Sequence, residues 1–164
     1  PRRYSSAASD VYKRQYMTAA AGAGAAAASI FKAVSRPQIP GEFQPQILAM
    51  PVIIPLLVAA FAMIGDFATA VAAVAIVGGT VTLMSISLQS TVQMEIEDQY
   101  RGRVMGLWTT ISIGSGAAGA VLMGFLVDLV GVAPAQLMIG LVLAAASVLV
   151  LLRFRRGLSQ ADAR

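Results

Sequence analysis

Four polar side chains within one long apolar stretch have the spacing of a single helix face: Thr82, Ser85, Gln89 and Gln93. Residues three and four positions apart lie on the same side of an α-helix. A stripe of hydroxyl and amide groups can line an aqueous cavity and form hydrogen bonds with a solute. The same groups can instead bond one helix to another, and the spacing does not separate the two roles. We take Gln89 as the first candidate for solute contact, and Ser112 on the next apolar stretch as a further one.

The residue types that the chain lacks exclude much enzymatic chemistry. It contains no Cys and no His, so no Ser-His or Cys-His pair can form, and neither residue can bind zinc or haem. The remaining Ser and Thr hydroxyls have no obvious base, and no pair of acids lies inside an apolar stretch. We therefore expect a protein that is not an enzyme and that uses no cofactor and no metal.

Charged residues in the segment 95–103 could form ion pairs if a helix continues through it. Glu97 and Arg101 are four residues apart, and Asp98 and Arg101 are three. Exposed pairs of this kind contribute only about 0.2 to 0.5 kcal/mol each. One interpretation is a solvated loop. The other is a cytoplasmic gate, in which ion pairs among Glu97, Asp98, Arg101 and Arg103 form in one conformational state and separate in the other.

Small residues recur every four positions on the fourth apolar stretch, at Gly116, Ala120 and Gly124. Small side chains at this spacing let two membrane helices approach closely, so we expect helix packing there. Asp128, near the end of the same stretch, could carry a proton. It lies about 36 Å along the helix from Val104, however, which exceeds a hydrocarbon core of about 30 Å. We therefore expect Asp128 at the interface on the outer side of the membrane.

Five apolar stretches carry these residues, and the composition indicates a membrane protein. Apolar residues make up 57% of the chain and charged residues 12%, against about 25% charged residues in soluble domains. The predicted fold is an all-α membrane protein with about four complete transmembrane helices and one truncated at its start. We predict helices over residues 16–33, 47–64, 67–93, 104–130 and 134–152, with a cytoplasmic tail over 153–164.

The basic residues predict the orientation of these helices. If the helices alternate in direction, eight Lys and Arg residues lie in the loops and tail on one side, and none lies in the turns on the other. The positive-inside rule then places the basic side and the C-terminus in the cytoplasm. The net charge of +4 comes largely from four basic residues before Tyr16. The rest of the chain is nearly neutral, so we expect no nucleic-acid partner.

The first fifteen residues differ from the rest of the chain. Residues 5–15, SSAASDVYKRQ, resemble in all eleven positions a translation of the transposon-end adapter used in sequencing libraries. We therefore expect residues 1–15 to be a non-native leader. Residues 16–164 would then be a partial transmembrane bundle whose true N-terminal part is missing.

Residues 88–131 resemble the region of the tenth and eleventh helices in major facilitator superfamily transporters, especially the branch of enterobactin and drug exporters. The resemblance rests on Gln89, the run RGRVMG at 101–106, the glycine-rich helix that follows and the acid at its end, Asp128. It implies that the five stretches correspond to helices eight, in part, to twelve, in the C-terminal half of such a transporter. The loop at 34–46 departs from the family, because it lacks the basic pattern common between helices eight and nine.

The resemblance implies a secondary active transporter that works by alternating access, with two six-helix halves rocking around a central site. We expect a fragment of an exporter for drug-like or siderophore-like solutes, coupled to protons and inactive alone. Its expected partners are the lipid bilayer, the missing N-terminal half and a small-molecule solute, in a bacterial inner membrane. The alternative is a structural or assembly subunit that transports nothing.

Overall fold

The computed structural model describes residues 2–35 and 45–161, with side chains for residues 11–35 and 47–153. Every regular element in this part of the chain is a helix, which confirms the prediction of an all-α protein. In chain order the helices are α1 (Arg2–Val34), α2 (Pro45–Phe61), α3 (Phe67–Glu95), α4 (Asp98–Val130) and α5 (Val132–Ala161). Most of the loop between α1 and α2, on which the departure from the family rests, lies outside the described residues.

Within the described residues, four helical segments are long and apolar enough to cross a membrane: Val11–Val34, Phe67–Glu95, Asp98–Val130 and Val132–Arg153. The remaining helix, α2, has a shorter apolar segment, Ile47–Phe61.

The largest differences between the predicted and the observed helix ends lie in polar sequence, at the start of α1 and at the end of α5. α1 begins at Arg2 instead of residue 16, and α5 continues to Ala161 through most of the predicted tail. Residues 2–16 contain neither Pro nor Gly, so no strong helix breaker interrupts the start of α1. Hydropathy marks where a helix leaves the bilayer, and these two helices extend beyond that point.

Asp66 and Gly131 lie at helix ends in the short connections α2–α3 and α4–α5. Asp66 is the N-cap of α3, and its carboxylate accepts a hydrogen bond from the backbone N–H of Thr69 at 2.8 Å. This bond holds the pKa of Asp66 below its ordinary value, because it favours the ionised carboxylate. Gly131, which follows α4, has a φ of 87° and donates its N–H to the carbonyl of Val127 at 2.9 Å. Only glycine adopts that φ without strain, so Gly131 permits the sharp turn into α5.

The pair α1 and α3 is packed so closely that the two backbones touch. A Cβ atom at Gly24 would overlap the carbonyl group of Ala75. Three residues further along α3, a Cβ atom at Gly78 would lie 2.6 Å from the carbonyl oxygen of Ala21. Glycine is therefore required at these positions for the observed distance between the helices.

The pair α2 and α5 has a similar contact. A Cβ atom at Gly140 would lie 2.6 Å from the carbonyl oxygen of Pro55 and 2.7 Å from the methyl group of Ala59. α2 also packs against α3, and this contact joins the two pairs. The packing order across the bundle is therefore α1, α3, α2, α5, with α4 packed mainly on α5.

The small-residue series on α4 is not where the helices touch. Gly116, Ala120 and Gly124 are exposed, and a Cβ atom at either glycine would meet nothing within 4 Å. Close packing of this series therefore stays a prediction. No described residue of another helix lies within 4 Å of a Cβ atom at Gly116 or Gly124.

The buried residues of the described chain are few and small, and the large apolar side chains face outward. On α4, for example, Ile113 is 69% exposed and Val121 is 75% exposed. In a bilayer such side chains contact lipid, and the helices satisfy their own backbone hydrogen bonds. The bundle is thus that of an integral membrane protein. Its buried apolar residues are Ala28, Ala59, Ala70, Ala135 and Ala144.

Replacing Gly78 by Ala should destabilise the bundle, because the added methyl group would press against the backbone of α1. Overpacking of this kind costs about 1 to 3 kcal/mol. Gly114→Ala is the matched control, since nothing lies within 4 Å of that position. At an open position within a helix, replacing Gly by Ala instead stabilises the folded protein by about 0.5 to 1 kcal/mol. Unfolding by SDS in mixed micelles measures both free energies, and equal values for the two variants would contradict the contact.

Candidate functional site

The predicted polar stripe lies on α3 and is largely exposed. Ser85, Gln89 and Gln93 are exposed, whereas Thr82 is half-buried and donates its hydroxyl to the carbonyl oxygen of Gly78 at 2.8 Å. The amides of Gln89 and Gln93 make no hydrogen bond to another residue in the described part of the chain. Three of the four residues are therefore free to meet water, a solute or another helix.

The exposed residues of α3 differ between its two halves. Towards the end that begins at Phe67, they include Ala72 and Ile76, the latter 58% exposed. From Ser85 to Gln93, over about 12 Å of helix, they include the polar residues. Nine residues separate Ile76 from Ser85, which is about half a turn around the helix axis, so Ile76 lies on the side of α3 opposite Ser85.

A second polar position on α3 faces the bundle interior. Ser87 is only 1% exposed, and its carbonyl oxygen accepts the hydroxyl of Thr91 at 2.9 Å. The side chain of Ser87 also has an interaction partner. α3 therefore separates its polar residues into an interior group, at Ser87, and an exposed group, at Ser85, Gln89 and Gln93.

Ser112 is exposed on α4, but the structure does not bring it beside the stripe, because α4 packs mainly on α5. Nearby hydroxyls bond to their own helix. Thr109 and Thr110 donate to the carbonyl oxygens of Met105 and Gly106, at 3.0 and 2.9 Å. Membership of Ser112 in the same site stays a prediction.

At the other end of the stripe, one of the predicted ion pairs forms. Arg101 lies 2.8 Å from the carboxylate of Asp98, which is the pairing at spacing three. α3 ends at Glu95 and α4 begins at Asp98, so the pair lies within the first turn of α4. Glu97 precedes that turn and accepts a hydrogen bond from the amide of Gln99 at 2.7 Å.

A groove of about 480 Å³ connects this ion pair with the stripe. Ser90, Gln93 and Met94 of α3 and Arg101 of α4 line it. Arg103, two residues further along α4, is also exposed. Gln93 and Arg101 therefore line the same groove. From the sequence, the polar stripe and the ion pair are predicted as two separate features.

Gln136 is a polar residue that the sequence interpretation missed. The fifth stretch was taken as almost uniformly apolar, but Gln136 lies in the first turns of α5 and lines a cavity between α1, α2, α3 and α5. A single amide in an apolar run is the signal that could have identified it. Asp128 is exposed at the end of α4, two residues before Val130.

The membrane-length helices and their exposed apolar surface define an α-helical integral membrane protein. The family model for transmembrane secretion effectors, within the major facilitator superfamily, matches residues 4–164. The chain belongs to this family, which is a family of membrane transporters, and the predicted resemblance to the superfamily is confirmed. No significant match to a curated protein or to a solved structure was found. The matched range includes residues 5–15, whose origin in an adapter stays a prediction.

Cysteine substitution can test whether the exposed stripe meets water, because the chain contains no native cysteine. In nanodiscs, Ser85→Cys and Gln89→Cys should react readily with a membrane-impermeant maleimide if the stripe lines an aqueous cavity. Ser87→Cys is the matched control, since position 87 is 1% exposed and should react at least about tenfold more slowly. Equally slow labelling at all three positions would place the stripe against lipid or another helix.

Proposed function

We propose that this chain forms the C-terminal bundle of a solute exporter that works by alternating access. Membership of a major facilitator family supports the class of transporter. In such transporters, two helical bundles rock around a site near the middle of the membrane. The solute would bind at the interface between this bundle and an N-terminal bundle, and the chain alone would be inactive.

The observation that carries the proposal is the exposed polar half of α3. Ser85, Gln89 and Gln93 present hydroxyl and amide groups on the surface of a helix long enough to span the membrane. Polar groups facing lipid would lose their hydrogen bonds with water at a substantial cost in free energy. A water-filled cavity removes that cost and allows these groups to bind a solute.

The chemistry of the stripe indicates the solute class. The stripe itself carries no charge, and Val81, which is 41% exposed, lies on the same face one turn before Ser85. A molecule with both apolar and hydrogen-bonding parts matches this surface, as drug-like and siderophore-like compounds do. Proton coupling would then depend on acids outside this bundle. The acids whose side chains the structure describes, over 11–35 and 47–153, are Asp66, Glu95, Glu97, Asp98 and Asp128.

The exposed length of α4 supports a second bundle. From residue 109 to residue 122 every position is exposed, and so is Gly124, so the whole small-residue series is uncovered. A packed neighbour would cover this surface, and Gly116, Ala120 and Gly124 would let it approach or slide closely. The excess of Lys and Arg on one side supports a cytoplasmic C-terminus in a bacterial inner membrane.

In the complete transporter, Gln89→Ala should weaken the apparent affinity for the solute about two- to tenfold, the range for one lost hydrogen bond. Export from inverted vesicles, measured over a range of solute concentrations, gives this value. Val142→Ala is the control, because Val142 is 66% exposed on α5, away from the stripe. Unchanged transport in the Gln89 variant would favour a structural or assembly role for this bundle.

The groove between Gln93 and Arg101 supports a cytoplasmic gate built from Glu97, Asp98, Arg101 and Arg103. Arg101 pairs with Asp98 of its own helix, and the pair is exposed. Breaking an exposed pair requires little free energy, so Arg101 could exchange Asp98 for an acidic partner on another bundle. The gate would be closed when the transporter is open to the outside.

Replacing Arg101 and Arg103 together by Gln should shift the complete transporter towards its inward-open state and slow turnover. Each exposed pair contributes about 0.2 to 1 kcal/mol, so the populations should change several-fold at most. Maleimide labelling of a cysteine at position 93 from the cytoplasmic side reports the shift. Arg153→Gln removes a basic residue from the same side and serves as control. Unchanged labelling with normal transport would reduce the two arginines to signals for membrane orientation.

A further inference from the structure

A partly open cavity of about 280 Å³ lies between four helices of the bundle, and its lining residues are half-buried. Four helices contribute to its wall, and α4 is not among them. α3 lines it with Val74, Val77 and Gly78, residues that precede the polar half of that helix. The cavity therefore lies next to the polar half of α3 and contains none of the four residues of the stripe.

The backbone contacts of the two helix pairs hold the cavity open. Ala21 and Gly78 both line it, and they are also the residues at which α1 and α3 touch. On the other side, Val58 lines it next to Ala59, which packs against Gly140 of α5. Helices whose backbones are already in contact cannot move closer, so most of the wall exists before any ligand enters. A preformed wall lowers the ordering cost of binding.

One polar group projects into an otherwise apolar wall. The amide of Gln136 has two N–H donors and one carbonyl acceptor, and it makes no hydrogen bond to another residue in the described part of the chain. The other lining residues are Ala21, Val58, Phe61, Val74, Val77 and Gly78. None of the described residues that line the cavity carries a charge, so a charged ligand would lose its hydration without compensation from them.

The volume restricts the ligand further. An apolar cavity of about 150 Å³ accommodates benzene, whereas drug-sized ligands need about 300 to 1,000 Å³. A cavity of about 280 Å³ therefore has room for two fused rings and one polar substituent. A lipid acyl chain could fill the apolar part, but it has no group that could bond to the amide.

From these observations we infer that the cavity is a binding site for small neutral aromatic molecules that carry one hydrogen-bonding group, such as a fused bicyclic alcohol. The apolar body lies against Phe61 and the valines of α2 and α3. The hydroxyl donates to, or accepts from, the amide of Gln136. The site shares no residue with the stripe or with the proposed gate, although Thr82 of the stripe donates its hydroxyl to the carbonyl oxygen of Gly78 in the cavity wall.

The test uses the protein in phosphatidylcholine nanodiscs and a 2-naphthol derivative that carries a photoreactive diazirine. Mass spectrometry should locate the label on α2 and α3 near the cavity, and excess 2-naphthol should displace it. Val58→Phe fills part of the cavity and should reduce specific labelling at least about fivefold. Val142→Phe adds the same bulk at an exposed position of α5 and should leave labelling unchanged. Circular dichroism confirms that both variants keep their helices.

The hydrogen bond is tested by pairing a ligand change with a residue change. Gln136→Met keeps the volume of the side chain and removes the amide. It should weaken displacement by 2-naphthol about three- to tenfold, the range for one hydrogen bond, and leave displacement by naphthalene unchanged. Both ligands partition into the same lipid in every sample, so ratios between variants do not depend on partitioning.

Two labelling results would contradict the proposed site. One is labelling that Val58→Phe does not reduce, and the other is labelling that spreads over the exposed residues of α4. Equal effects of Gln136→Met on 2-naphthol and naphthalene would overturn the assigned ligand class and indicate a lipid-filled space. Neither result bears on the proposed transport, which the Gln89 variants test separately.

Discussion

The contact between helix backbones at glycine is the interaction on which this bundle depends. Between helices in lipid there is little hydrophobic driving force, because the lipid tails are as apolar as the side chains. Association must then come from close packing, and α1 and α3 achieve it where Gly24 meets Ala75 and Gly78 meets Ala21. α2 and α5 do the same at Gly140. The buried alanines follow from this arrangement, since larger side chains would not fit between helices at these distances.

The polar residues of the apolar helices fall into two chemical groups. A Thr hydroxyl can donate to the carbonyl four residues earlier, as Thr80, Thr82 and Thr109 do, and so satisfies its donor within its own helix. A Gln amide has two donors and an acceptor and forms no such bond at Gln89, Gln93 or Gln136 in the described chain. Amides therefore identify the surfaces where a partner is required, and hydroxyls are poorer markers. The exposed stripe and the cavity between the helices are both identified by their glutamines.

Much of the fold could be predicted from hydropathy, and less of the packing. The third helix was predicted over 67–93 and is observed over Phe67–Glu95, because a run without charges ends sharply at Asp66 and Glu95. The ends of α1 and α5 were not predictable in this way, since they continue in polar sequence after the apolar signal stops. The regular series Gly116, Ala120, Gly124 suggested a contact, yet the contacts observed lie at Gly24, Gly78 and Gly140. Spacing shows that a helix can be approached closely but not which helix approaches it.

The unequal lengths of neighbouring helices affect the lipid around the protein. α2 has 17 residues, about 26 Å of helix, whereas the adjacent α3 has 29, about 44 Å. A bilayer with a uniform hydrocarbon thickness of about 30 Å cannot match both helices, so it must thin beside α2, or α3 must tilt. Because α2 and α3 are packed together, the tilt of one changes the mismatch of the other. Membrane thickness therefore affects the tilt of these helices, and bilayers of different thickness favour different helix tilts in the same chain.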